Sequence, residues 1–496
     1  MKKCRFFSSI SLFIFLIAII LAAYSVFRSG LLPMRLSIIG LILLGVVLLL
    51  LSLLVFSKRS RFLMIAGGVL CLIFSVVLLA GGVVLYRTVN TAQGKFSSET
   101  RIEVASVGVY MLADKTTEST ALDADMSYGI LEHQDRKNTD EALSRLKKEL
   151  GKELMVDTFD GPTELLDALL DGQVDAIVLN SAFLDLVDEL SGYENVSEKL
   201  RSVSKIRIER EVPVKETAPR RQTETPAVGS SANPEEPARA FAVYISGIDN
   251  RGKLIEKSRS DVNIVAVVNP ESHQVLLITT PRDYYVPLKF EDYISPKDKL
   301  THAGIYGVQV SMDTLGMLYD MEFDYYFRIN FDGFVDFVEA LGGVTVEVEK
   351  EFGTTEYFFP AGPNYLNGYK ALSFVRNRFG IGDQQRGRNQ MAFIKGVINK
   401  ALSTDMLLNF NSVLNSVEGC FETSMPYEVI SALVRDQIET GADWNVVTYA
   451  VTGSGNSAIP YSMNFEVYVM DPDMETVEIA KDLIQKAFDG EVLVQP

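Results

Sequence analysis

Three uncharged apolar runs open the chain, Phe6 to Phe27, Leu36 to Phe56 and Phe62 to Tyr86. Each reaches the length of about 20 residues that crosses a hydrocarbon core as a helix. The first run alone would read as a cleaved signal peptide. Two more runs directly behind it make residues 1–95 a membrane anchor with three spans. The pattern then changes. Glu103 to Tyr110 predicts a strand, and Thr139 to Leu150 has apolar residues at helical spacing with charges on the other face. A helix near Pro162 to Leu170, a stop at Asp171-Gly172 and a buried strand at Ala176 to Leu179 follow. Residues 101–209 therefore read as a small α/β accessory domain.

Residues 211–239 hold five prolines among Glu, Thr, Ser and Arg, with few large apolar side chains. That composition predicts a flexible or partly extended linker. From 240 to 496 strands and helices alternate: FAVYIS, NIVAVV and VLLITT, a helix from Ala303 to Tyr319, a strand from Tyr325 to Ile329 and a helix from Phe331 to Leu341. Val344, Val346 and Val348 alternate with polar residues, as in a half-exposed strand. Leu366 to Val375 is read as passing from helix into a strand that carries Arg376 and Arg378. A loop from Gly380 to Gly387 and a helix from about Asn389 to Leu402 come next. Strands near Val447 to Val451 and Phe465 to Met470 and a terminal helix complete an α/β domain, with a mixed central sheet flanked by helices.

Charge divides the chain as sharply as hydropathy does. Residues 1–95 hold ten Lys or Arg and no Asp or Glu, so the remainder carries 37 basic and 64 acidic residues, a net charge of −27. Such a body excludes nucleic acid as a partner, because phosphate backbones need a basic surface. Lys2, Lys3 and Arg5 precede the first span, and Lys58, Arg59 and Arg61 separate the second from the third, against only Arg28 and Arg35 between the first two. The richer loops belong in the cytoplasm, so the domains after the third span are expected outside the cell. Of three cysteines only Cys420 lies in the large soluble part, so no disulfide framework forms there. An exported chain without disulfides suits a Gram-positive type of cell surface.

Polar residues collect where strands end, the place where open α/β sheets bind ligands. FAVYIS runs into Gly247, Asp249 and Arg251, VLLITT runs into Pro281, Arg282 and Asp283, and Arg259 and Asp261 precede NIVAVV. Arg376, Arg378, Asp383, Arg386, Arg388 and Gln390 follow within fifteen residues. A lone Arg-Asp pair is usually a surface ion pair, and a lone Asp after a strand is usually a turn residue. Here several independent strand ends carry the same chemistry. Arginine matches phosphate bidentately, and Mg²⁺ takes one or two carboxylates with phosphate oxygens and water. The set therefore points to a polyanion with a divalent ion, for which Asp249 and Asp261 are the candidate ligands.

Six segments in order, GIDNR (247–251), RSDVNIVAVVNPESHQVLLITTPRD (259–283), KLTHAGIYG (299–307), FRINFDGFVDFVEALGGVTVEV (327–348), LNGYKALSFVRNR (366–378) and DQQRGRNQ (383–390), resemble the LytR-CpsA-Psr family of bacterial cell-wall proteins. The resemblance is close over 240–400 and looser beyond. It implies a membrane-anchored phosphotransferase that moves a glycopolymer, such as teichoic acid or capsule, from an undecaprenyl pyrophosphate carrier to peptidoglycan with Mg²⁺. It also implies an apolar pocket for the polyprenyl chain. Carried over by match, Asp249 and Asp261 would hold the metal, and Arg259, Arg282, Lys299, Arg376, Arg378, Arg386 and Gln390 would bind the pyrophosphate. Asp283 is either a general base or the partner that orients Arg282. The family's second Arg before the Gln is replaced by Asn389, so the role of Arg388 is open. A polyprenyl-pyrophosphate hydrolase would use the same residues, and a non-enzymatic lipid-binding or sensing protein is the other alternative. Within the accessory domain, LLDALLDGQVDAIVLNSAFLDLV resembles one lobe of an extracellular solute-binding domain, and a structural spacer reads the same residues equally well.

Overall fold

The computed structural model describes residues 2–57, 60–96, 100–113, 122–188, 190, 192–213, 239–248, 257–377, 382–403 and 421–495. The chain forms two compact units. One gathers the N-terminal helices with residues around 425–443, and the other holds most of 99–398 and 444–496.

In the first unit, α1 (Lys2–Ser29), α2 (Met34–Val55) and α3 (Arg61–Phe96) are long and apolar enough to cross a membrane, with mean hydropathies of 2.7, 3.3 and 2.8. Phe15, Ile19, Leu51, Val55 and Cys71 pack between them, while many other Leu, Ile and Val side chains face outward. That is the pattern of helices whose surroundings are lipid rather than water.

The second unit starts with a five-stranded sheet ordered β3-β2-β4-β1-β5. Its strands are β1 (Thr100–Leu112), β2 (Ser127–Leu131), β3 (Met155–Phe159), β4 (Ala176–Asn180) and β5 (Leu200–Pro213). Helices α4 (Arg136–Leu150), α5 (Pro162–Leu170) and α6 (Ser181–Asp188) cover it. Gly151 ends α4 in the left-handed region, a cap conformation that glycine adopts at little steric cost. β5 continues to Pro213, so residues 211–213, read as linker, are strand. Residues 214–238 lie outside those described.

The main domain follows as β6 (Phe241–Ile248), β7 (Ser260–Asn269), β8 (Gln274–Thr280), the hairpin β9 (Tyr285–Lys289) and β10 (Ile294–Lys299), then α7 (Ala303–Tyr306) and α8 (Val308–Tyr319). The single helix expected over 303–319 is two, because Gly307 sits at φ +130° and breaks it. Next come β11 (Tyr325–Asn330), α9 (Phe331–Ala340), β12 (Val344–Val348), β13 (Phe352–Gly353), β14 (Phe358–Phe359), β15 (Gly362–Leu366), α10 (Gly368–Arg376), α11 (Gly382–Ala401) and β16 (Phe421–Thr423). The helix α12 (Tyr427–Thr440) belongs to the first unit. There Tyr427 donates to the Ser29 carbonyl at 3.1 Å, Arg435 donates to the Gly30 carbonyl at 3.4 Å, and Tyr427 is buried with Val89. The chain closes with β17 (Asn445–Ala450), β18 (Gly453–Ala458), β19 (Val467–Pro472) and α13 (Met474–Phe488).

The central sheet is mixed, in the order β16-β11-β6-β7-β8-β17, with β11 parallel to β6, β17 parallel to β8, and β7 antiparallel between β6 and β8. The carboxyl ends of β6, β8, β11 and β17 therefore share one edge with the amino end of β7. Alternation along each strand splits the side chains between two faces. Tyr244, Val265, Leu276 and Ile278 pack with Leu315 and Tyr319 of α8 and with Val477, Ala480 and Ile484 of α13. Ile245 and Ile264 point the other way, into a cavity roofed by α9, α10 and α11.

Candidate active site

Register brings the first pair together. Asn263 of β7 faces Thr280 of β8, so two residues further along the same face Asp261 and Arg282 meet. Arg282 Nη1 donates to Asp261 Oδ1 at 2.8 Å, and Arg282 Nε lies 3.6 Å from Asp283 Oδ2. The segment after β10 runs alongside, because Thr301 N–H donates to the Arg282 carbonyl at 2.9 Å and Leu300 N–H to that of Tyr284 at 2.9 Å. This puts the Thr301 hydroxyl 3.2 Å from Asp261 Oδ1 and the Lys299 ammonium 3.0 Å from Asp283 Oδ1. Behind these residues, Asp298, His302 and Ser462 form a buried cluster, with His302 Nδ1 2.6 Å from Asp298 Oδ1 and 2.7 Å from Ser462 Oγ. It pins both ends of the Lys299–Thr301 turn.

Burial opposes the charge of Arg282, but Asp261 and Asp283 more than offset it and hold the guanidinium pKa above its ordinary value. Arg259 is near enough to work against that charge, and it is itself buried. Asp283 is 6% exposed and does not line the cavity, and its carboxylate serves two cations.

The second group comes from α9, α10 and α11. Residues 382–387, expected as a loop, are the first turns of α11, and Arg386 and Gln390, four apart, share a face. A Cβ at Gly387 would stand 2.9 Å from Thr279 Cγ2. Glycine is what lets the helix rest on the end of β8. Gln390 Nε2 donates to the Val375 carbonyl at 3.3 Å and Asn389 Nδ2 to that of Phe374 at 3.4 Å, tying α11 to the end of α10. Arg376 is the last residue of α10 and not part of a strand, because the FVR segment continues the buried helical stripe of Ala371 and Phe374. Its guanidinium lies 4.0 Å from the centre of the Phe331 ring. Arg388 points elsewhere, onto Gln385 at 2.7 Å and toward Glu349 at 3.9 Å.

Asp261, Arg282, Arg376, Arg386 and Gln390 all line one cavity of about 1250 Å³. Arg259, Lys299 and Asp283 stand beside it. Asp249 and Arg378 lie outside the described residues. The rest of the cavity wall is largely apolar, with Phe327, Phe334, Phe337, Phe393, Ile394 and Val397 among its residues. Phe331, Phe334 and Phe337 stay half-buried because their helix turns them to the cavity instead of the core. Sequence reasoning missed these rings, although their spacing of three in FDGFVDF marks one face of a helix. It also missed Thr301, which has no signal apart from its position between Lys299 and the glycines. For a magnesium ion, Asp261 offers a hard carboxylate lining the cavity, the donor type this ion takes, so the residue fits.

The fold and site define an α/β protein with one cavity that joins a largely apolar wall to a cluster of arginines. A model of the LytR_cpsA_psr family matches residues 203–476, more than half of the chain, and the chain belongs to that family. Over 208 residues it is 32% identical to the polyisoprenyl-teichoic acid–peptidoglycan teichoic acid transferase TagU of Enterococcus faecalis, a match that covers 41% of this chain and 67% of that protein. It is 28% identical over 256 residues to the TagU of Bacillus subtilis, 51% of this chain and 79% of that one. Among solved structures, B. subtilis TagV is 23% identical with a TM-score of 0.43, over 51% of this chain and 99% of TagV.

Proposed function

We propose that the chain is a membrane-anchored phosphotransferase that moves a glycopolymer of the teichoic acid or capsule class from an undecaprenyl pyrophosphate carrier to peptidoglycan outside the cell membrane. One observation carries this reading. A single cavity joins an aromatic interior to Arg282, Arg376 and Arg386, and a polyprenyl pyrophosphate uses both halves. The transferase activity named for its relatives supports it.

In this reading the arginines and Gln390 cradle the pyrophosphate. A hydroxyl of a muramic acid residue attacks the sugar-side phosphorus. The bond from that phosphorus to the bridging oxygen breaks, undecaprenyl phosphate leaves with the electron pair, and the hydroxyl proton is released. Phosphoryl transfer of this kind needs positioning and charge stabilisation more than covalent chemistry by the protein. Asp283 holds Arg282 and Lys299 in place. Asp261, with Asp249, would hold Mg²⁺, which when bound neutralises charge on the pyrophosphate.

The charge pattern supports an extracytoplasmic soluble part. The basic residues favour the loops before the first span and between the second and third. The test uses the full chain in detergent with a lipid-pyrophosphate-linked saccharide and peptidoglycan oligomers, with and without Mg²⁺. Metal-dependent product on the glycan is expected. Released sugar phosphate alone would replace the transferase with a hydrolase, and neither product would leave a binding protein.

A further inference from the structure

The accessory sheet holds β2, β3 and β4 parallel, so their carboxyl ends share an edge. That is the edge at which an open α/β sheet would bind a solute. Here the chain's own downstream residues occupy it. Gln134, just after β2, donates to the Tyr461 carbonyl at 3.3 Å, and Thr163 Oγ1 donates to Asn464 Oδ1. Ile305 and Met463 of the main domain are buried in the apolar cluster of Leu165, Leu169 and Phe183.

From this contact a short path leads to the site. Lys257 N–H donates to the Val104 carbonyl of β1 at 3.0 Å. The Lys257 ammonium pairs with Glu103 at 2.8 Å, the two side chains 12% and 14% exposed, and donates to the Tyr306 carbonyl at 2.8 Å. Arg259 is two residues further on. Its main chain is clamped from the other side by α7, where a Cβ at Gly304 would stand 2.5 Å from the Ser258 carbonyl oxygen and 2.8 Å from Ser260 N. Backbone thus meets backbone on both sides of the Arg259 segment, and one of the two clamps belongs to the accessory domain. The residues of that domain up to 202 lie outside the stretch that matches the family.

We propose that Glu103 and Lys257 are positioning residues for the transfer reaction, through which the accessory domain fixes the main chain that aims Arg259 at the pyrophosphate. The proposal rests on the reading that Arg259 binds this anion. The accessory domain then acts on the site and not as a receptor for a free solute. A buried ion pair that loses one partner leaves an uncompensated charge, and Lys257 would leave Val104 and draw the next residues with it. Small displacements of a binding group are costly, since a misplacement of about 1 Å can lower a rate about 100-fold.

The experiment is a double-mutant cycle on the full chain in detergent, with kcat and KM for a lipid-pyrophosphate donor measured for Glu103→Ala, Glu103→Gln, Arg259→Ala and the combined variants. Glu103→Gln keeps a hydrogen-bonding group and serves if Glu103→Ala does not fold. Coupled residues show interaction effects of about 2-fold to over 100-fold. The expected result is a loss of about tenfold in kcat/KM from either Glu103 change in the native background, and under twofold once Arg259 is alanine. An equal loss in both backgrounds, or none in the native one, overturns the positioning role. If Arg259→Ala itself runs at the native rate, the assignment of Arg259 to the anion falls first and takes the proposal with it.

Discussion

Arg282→Ala tests the centre of the site. The change removes the cation that faces Asp261 at 2.8 Å and Asp283 at 3.6 Å. Asp283 keeps Lys299 at 3.0 Å, and Asp261 keeps the Thr301 hydroxyl at 3.2 Å. Breaking a buried pair costs about 3–5 kcal/mol. Arg282 and Asp261 are 15% and 17% exposed and open to the cavity, so water screens the Asp261 carboxylate and the cost falls below that range, to about 2 kcal/mol. Catalysis should suffer more. A donor aimed at charge that develops on the leaving phosphate is worth about 10²–10³ in kcat. Arg282→Lys keeps the charge and loses the planar fork, so its loss should be about tenfold, smaller than that of alanine. Thermal melting and steady-state kinetics of the full chain separate the two effects. An alanine variant that melts a few degrees lower yet turns over within threefold of the native rate would remove Arg282 from the chemistry and leave it a structural residue.

Three further outcomes are expected. Phe334→Ala trims a cavity ring that packs on Phe393 at a centroid distance of 4.8 Å. It should raise KM about 5- to 30-fold for a long polyprenyl donor, from the loss of roughly 1–2 kcal/mol of apolar contact, and leave a donor with a short prenyl chain unchanged. Equal effects on both donors would argue that the cavity does not hold the lipid. Gly387→Ala pushes a methyl against Thr279 Cγ2, an overpacking worth about 1–3 kcal/mol, and Thr279→Ser in the same chain should recover most of the melting temperature. No recovery would mean that helix and strand do not meet there. Asp135, half-buried at the accessory edge, has its carboxyl pKa raised, first by desolvation, with Asn180, Lys257 and Asn138 pulling it back. The native state thus holds this proton more tightly than the unfolded chain, so the cost of ionised burial is full above the native pKa and fades as pH falls toward the ordinary value of 3.8. The melting temperature of Asp135→Asn minus that of the native chain should therefore rise from pH 4 to pH 7, and a flat difference would refute the burial argument.

Local pattern carried much of the fold into view. Val344, Val346 and Val348 are buried and the residues between them exposed, as their alternation predicts. The three apolar runs are the three long helices. Where the reading slipped, tertiary contact overrode local preference. Residues 380–387 read as a loop, yet from Gly382 they are helix, and Gly387 is used for its close approach to Thr279. A strand is expected to carry Arg376 and Arg378, whereas helix α10 runs through Arg376. Other features had no local trace at all. That Asp261 faces Arg282 depends on the register of β7 on β8, and that the accessory edge is filled depends on Tyr461 and Asn464, some 300 positions away in sequence.

Those distant contacts answer a problem the arginines create. Arg259 works against the charge of Arg282, and Arg386 lines the same cavity as Arg282, so like charges are held close before an anion arrives. Carboxylates answer part of it, since Asp261 and Asp283 share Arg282 and Lys299 among them. The main chain answers the rest. Arg386 is carried by a helix set against β8 at Gly387, and Arg259 by a segment gripped between Gly304 and β1. Both contacts are too close for a Cβ, so neither can slide without a clash. A site held in this way is organised before its ligand binds, the condition under which fixed charges act most strongly on a transition state.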